Sequence, residues 1–229
     1  MFCSNKALSF VYFFIIVSLA SSPVFAYADK RPKNLCGEIE KLEQLYSEGD
    51  LKAQNDLISC YQQLSEKGDS YAQNNLAVMH ESGLGVEKNL QKAAELYQKA
   101  SDQGYAMAQY NLGLMYGYGE GVEKNLKKAV ELYQKASDQG YAMAQHNLGY
   151  MYSNGEGVEK NPRKAVELYR RAADQGCAMA QYNLGLMYEY GKGVEKNPRK
   201  AVELYRRAAD QGCGVAKTKL RDGSLQVAP

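Results

Sequence analysis

Between Asp69 and Gly212 the apolar residues recur with a helical rather than a strand period. In residues 105–140 the first set is Ala108, Leu112, Gly113 and Tyr116, and the second is Ala129, Leu132, Tyr133 and Ala136. Both sets fall near i, i+3, i+4 and i+7 or i+8, which gathers them on one face of an amphipathic helix. Glycine loops separate the two helices: Gly83-Leu84-Gly85, Gly119-Glu120-Gly121, Gly155-Glu156-Gly157 and Gly191-Lys192-Gly193. Glycine just past a helix end supplies a left-handed cap. Asn89, Asn125, Asn161 and Asn197 are placed to cap the next helix, and Pro162 and Pro198 stand at its first position.

The whole pattern repeats. Gly68, Gly104, Gly140, Gly176 and Gly212 close successive units of 36 residues, so the units are 69–104, 105–140, 141–176 and 177–212. A fixed period of this length, filled with helix formers, predicts an all-α solenoid of stacked helix pairs. Gly113, Gly149 and Gly185 lie within the first helix, where glycine costs about 1 kcal/mol relative to alanine. Close approach of the partner helix accounts for their recurrence. Residues 29–68 form an N-terminal helical hairpin and degenerate repeat, with helices over 35–47 and 51–66. Residues 213–229 form a C-terminal capping helix and tail.

The first 28 residues read differently. Lys6 precedes the uncharged run Ala7–Ala20, and small residues at Val24, Ala26 and Ala28 follow. This describes a secretory signal peptide more closely than a spanning helix, because Ser18, Ser21, Ser22 and Pro23 interrupt the run. Export to the periplasm or beyond is the expected localisation, with no stable membrane insertion after cleavage. Loss of residues 1–28 would leave 27 basic and 26 acidic side chains, a balance that argues against nucleic acid as partner. Export permits disulfides. Cys36 and Cys60 lie at facing positions of the N-terminal hairpin and are expected to pair, whereas Cys177 and Cys213 occupy one position in consecutive units. Stacked helices lie 8–10 Å apart, too far for most disulfides.

Few residues suggest catalysis. His80 takes the tyrosine core position of its unit, and His146 falls at a variable position suited to a partner contact. Neither H-E-x-x-H nor C-x-x-C occurs, so no metal or cofactor site is expected. Gly117–Val122 has the glycines of a phosphate loop, but its counterparts recur as helix connectors and no strand precedes it.

The motif A-x-x-x-L-G-x-x-Y-x-x-G-x-G-V-x-x-N-x-x-K-A-x-x-L-Y-x-x-A-x-x-x-G resembles the Sel1-like repeat, a relative of the tetratricopeptide repeat. The resemblance covers residues 69–212 and implies a right-handed solenoid of tandem helix-loop-helix units. In such solenoids the variable first-helix positions line a concave groove. Here these are Asn74, Tyr110, His146 and Tyr182, then Val78, Leu114, Tyr150 and Leu186, and finally Ser82, Tyr118, Asn154 and Tyr190, with a fourth set at Glu81, Gly117, Ser153 and Glu189. Asn75, Asn111, Asn147 and Asn183 form a constant ladder beside them. Asparagine amides both donate to and accept from an extended backbone, and tyrosine offers amphipathic contact area at low entropic cost. The resemblance therefore implies a monomeric, non-enzymatic scaffold for a protein or peptide. Some exported proteins of this kind are described as penicillin-binding or β-lactamase-type enzymes, but this chain has no S-x-x-K nucleophile motif.

Overall fold

The computed structural model describes residues 39–221. Among them are eleven α-helices and no strand. The helices are α1 Ile39–Ser47, α2 Leu51–Glu66, α3 Ser70–Ser82, α4 Leu90–Asp102, α5 Ala106–Tyr118, α6 Leu126–Asp138, α7 Ala142–Asn154, α8 Pro162–Asp174, α9 Ala178–Tyr190, α10 Pro198–Asp210 and α11 Gly214–Arg221. Residues 1–28, read from the sequence as a signal peptide, Cys36 and the tail after Arg221 lie outside the described residues. The chain divides into two compact units, one ending at Gln103 and the other beginning at Gly104.

In the first unit, Asp50 and Asp69 cap α2 and α3 by accepting backbone N–H bonds from Lys52 and Ala53, and from Ala72. The Glu43 carboxylate on α1 accepts from the hydroxyls of Tyr61 and Tyr71, the latter at 2.7 Å. Asn75 on α3 donates to the Tyr61 hydroxyl at 3.3 Å. One acid thereby ties the opening hairpin to the first full repeat, a role that periodicity alone does not reveal.

The second unit holds α5–α11. The expected asparagine caps are present: the side chains of Asn125, Asn161 and Asn197 accept from the amides of Lys128, Lys164 and Lys200. Each second helix ends in a Schellman turn. In α6 the Gly140 amide donates to Ser137 O and the Tyr141 amide to Ala136 O.

The helix-interior glycines answer to packing. A Cβ added at Gly113 would stand 2.7 Å from the Tyr133 ring, and one at Gly185 would stand 2.6 Å from Tyr205. The second glycine of each loop answers to a different neighbour. A Cβ at Gly157 would lie 2.5 Å from Leu126 O, and one at Gly193 would lie 2.4 Å from Pro162 O. Those contacts join the loops after α7 and α9 to the second helix of the preceding repeat.

The core is shared between repeats in the same way. Ala129, Tyr133 and Ala136 of α6 pack with Ala144, Leu148 and Met151 of α7 and with Leu168 of α8. Ala165, Tyr169 and Ala172 of α8 do the same with α9 and α10. No repeat buries its apolar faces alone, which is why such units occur in arrays.

Candidate functional site

The first helices α5, α7 and α9 carry most of the expected partner face, and the structure sorts its residues into two groups. The first group is built into the stack. Tyr110 and Asn111 are each 5% exposed. The Tyr110 ring lies 5.9 Å from Tyr133 and 5.2 Å from Tyr141, centroid to centroid. His146 and Tyr182 repeat this packing against Tyr169 and Tyr205 at 5.9 and 5.5 Å. Tyr110 is buried at this position, and His146 and Tyr182 are half-buried.

His146 also joins neighbouring asparagines. Its Nδ1 lies 3.0 Å from Asn147 Oδ1, and its Nε2 lies 2.9 Å from Asn183 Nδ2. A neutral ring carrying its proton on Nδ1 satisfies both contacts, donating to Asn147 and accepting from Asn183. Burial holds the imidazole pKa below its ordinary value, partly offset by the Asn147 contact. Asn147 and Asn183 are half-buried and engaged here, and Asn75 belongs to the first unit, where it is buried.

The second group is exposed at its helix-end members and half-buried one turn earlier. Tyr118 and Tyr190 are both 55% exposed at the last positions of α5 and α9. Asn154 holds the same place at the end of α7 and is exposed, while Leu114, Tyr150 and Leu186 lie one turn earlier and are half-buried. The six side chains form i, i+4 pairs, Leu114–Tyr118, Tyr150–Asn154 and Leu186–Tyr190, one pair per repeat.

Acidic groups flank the first two pairs. Burial and then the Glu120 charge raise the Tyr118 hydroxyl pKa, and burial followed by Glu156 does the same for Tyr150. Asn154 donates to Glu156 at 3.4 Å. Cations flank the third. Lys192 Nζ lies 5.5 Å from the Tyr190 ring centroid, and Lys219 Nζ lies 5.7 Å from it and 3.5 Å from its hydroxyl.

Glu189, expected on the varying face, is a structural brace. It accepts from the Tyr205 hydroxyl at 2.6 Å and pairs with Lys219 at 2.9 Å, which fastens α11 to α9. Its carboxyl is held below the usual range, because the Tyr205 and Lys219 contacts outweigh the opposing effect of burial.

Residues outside the expected set carry the stacking. Gln145 is 1% exposed. It donates to Ser137 O of the preceding repeat at 3.3 Å and accepts from Gln175 of its own repeat at 2.8 Å. Gln181 does likewise with Ala173 O and Gln211. These glutamines are constant within A-x-A-Q, so a search for variation passes over them. His80 is buried as expected, with Nδ1 3.2 Å from Glu87 O and no hydrogen-bond partner at Nε2. Cys177 and Cys213 are free thiols. Cys36, the expected partner of Cys60, lies outside the described residues. No group of three or more His, Cys, Asp or Glu side chains that could hold a metal ion occurs among the described residues. No described helix is long and apolar enough to cross a membrane.

Shared cores, interlocking glutamines and an open first-helix stripe define a helical-repeat scaffold. The Sel1 repeat family matches residues 70–105, 106–141, 142–177 and 178–213, each one residue later than the units read from the glycines. The chain belongs to the Sel1 repeat family, whose members are generally protein-interaction scaffolds, and its fold is an all-α solenoid. Among solved structures it is similar to a Sel1 repeat protein from Oxalobacter formigenes, with 38% identity, a TM-score of 0.73, and 81% of this chain and 72% of that one covered. An immunity protein from Pseudomonas aeruginosa matches at 26% identity and a TM-score of 0.50, covering 92% of this chain and 69% of that one. A second immunity protein from that organism, at 24% identity and a TM-score of 0.52 over 100% and 74% of the two chains, resembles it in fold. No curated protein sequence matches the chain.

Proposed function

We propose that this protein is an exported, monomeric and non-enzymatic scaffold that holds a peptide or protein segment along the first-helix stripe of α5, α7 and α9. The observation that carries the reading is the exposure of Tyr118 and Tyr190 at 55% each, at helix ends where a merely solvated face would hold small polar residues. Large, rigid aromatic side chains with a polar tip are the residues that dominate protein interfaces. The likeness to an immunity protein fits binding better than catalysis, and the chain has no serine followed three residues later by lysine to support a β-lactam hydrolase. Export is supported by the Ala7–Ala20 run behind Lys6, and an exported chain favours a Cys36–Cys60 bridge that pins the opening hairpin.

The test is photo-crosslinking from positions 118 and 190 in the native host, with co-purification quantified against variants. Tyr118→Ala combined with Tyr190→Ala should lower capture of the crosslinked partner by about tenfold or more while leaving the melting temperature close to that of the parent protein. Undiminished capture would remove the stripe from consideration. Asn111 is the poorer probe, since its burial couples any substitution to stability.

A further inference from the structure

Residues flanking the stripe in the second unit change sign along it. The glycine loops differ chiefly at their middle residue, which is Glu120 after α5, Glu156 after α7 and Lys192 after α9. Each stands beside the open pair of its own repeat. Glu120 acts on Tyr118, Asn154 donates to Glu156, and Lys192 Nζ sits 5.5 Å from the Tyr190 ring. Lys219 adds a second cation at Tyr190, and Glu189 neutralises one of the two at 2.9 Å. The remaining loop charges do not alter the trend, because Glu123, Glu159 and Glu195, and Lys124, Lys160 and Lys196, repeat in every unit. The local balance therefore runs negative, negative, positive from α5 to α9.

From this we infer that the occupant of the stripe is an extended peptide segment of segregated charge, with basic side chains opposite Glu120 and Glu156 and an acidic side chain opposite Lys192. The inference rests on the binding reading given above and specifies its partner. Along the occupant the order is basic, basic, acidic, following α5, α7 and α9. The tyrosines and leucines between the charges supply apolar contact, and the charges set register and reject segments of the opposite polarity.

A random 12-residue phage-displayed library panned on the purified protein tests this directly. Enriched sequences should carry two Lys or Arg residues towards one end and an Asp or Glu towards the other. The triple variant Glu120→Lys, Glu156→Lys, Lys192→Glu should enrich the inverted sign order. A synthetic peptide taken from the parent selection should bind that variant about tenfold more weakly, and the difference should shrink as salt rises. All three positions lie at the surface or half-buried in loops, and a circular-dichroism melt confirms that the variant folds. Lys192→Ala alone should weaken the same peptide by a smaller factor. Enrichment that needs Tyr118 and Tyr190 but ignores the charge reversal would overturn the polarity and leave the stripe intact. Enrichment indifferent to both tyrosines, or none above a bare-support control, would overturn the stripe reading and the polarity with it.

Discussion

Two glycines of α5 show how a single position takes its meaning from its neighbour. Gly113 stands in the interior of α5 and Gly117 in its last turn, and alanine is intrinsically the better helix former by up to about 1 kcal/mol. An added Cβ at Gly113 meets the Tyr133 ring at 2.7 Å, whereas at Gly117 the nearest atom is the Tyr133 hydroxyl at 3.8 Å. Gly113→Ala should therefore destabilise the protein by about 1–2 kcal/mol, overpacking outweighing the helical gain. Gly117→Ala should stabilise it by up to about 1 kcal/mol. Urea denaturation of both variants checks the contrast, and shifts of the same sign would refute it. The recurrence of glycine at 113, 149 and 185 was legible as close approach, though the ring that approaches was not. Tyr110 gives the opposite lesson. Variation among Asn74, Tyr110, His146 and Tyr182 looked like a binding face, but Tyr110, His146 and Tyr182 pack against the tyrosines of the following helices.

At the scale of elements, helix boundaries were readable because caps are local chemistry: an asparagine side chain three residues from an amide, a glycine able to adopt positive φ. The interlock between repeats was not readable, since Gln145 earns its role only from carbonyls and amides that distant segments bring to it. Gln145→Ala removes the donor to Ser137 O and the acceptor of Gln175. A net cost of about 1–2 kcal/mol is expected, from two buried or half-buried hydrogen bonds. Gln134→Ala loses only an exposed contact to Asp138 at 2.7 Å and should change stability by less than about 0.5 kcal/mol. Thermal melts of the two variants decide the matter, and equal losses would show that the glutamine does not couple the repeats.

Across the molecule, one titrating group makes stability depend on mildly acidic pH. The His146 pKa lies below its ordinary 6.5 because the ring is buried. The unfolded chain thus takes up a proton at a higher pH than the folded one. Stability should be level above about 6.5 and fall as pH drops from there towards the lowered folded value. A second acid decline follows at lower pH, as Glu189 protonates and its bonds to Tyr205 and Lys219 weaken. Protonated His146 would present N–H groups to both Asn147 and Asn183, and the Asn183 amide would have to turn to accept. His146→Tyr installs the residue found at positions 110 and 182, so it should fold and should flatten the decline just below pH 6.5. Denaturation midpoints from pH 7.5 to 5 measure this, and an unchanged slope in the variant would exclude His146 as the source.

Sequence by itself determined the all-α class, the 36-residue period, the helix limits and the family, because each follows from hydrophobic spacing and capping within one unit. It also singled out the side chains from which a partner surface could be made. Only the tertiary structure decided which of them are open. A variable residue reads the same in sequence whether it faces solvent or the neighbouring repeat, and the packing of Tyr133, Tyr169 and Tyr205 draws that line. It left Tyr118, Asn154 and Tyr190 exposed, with Leu114, Tyr150 and Leu186 half-buried one turn earlier, and placed Glu120, Glu156 and Lys192 beside them.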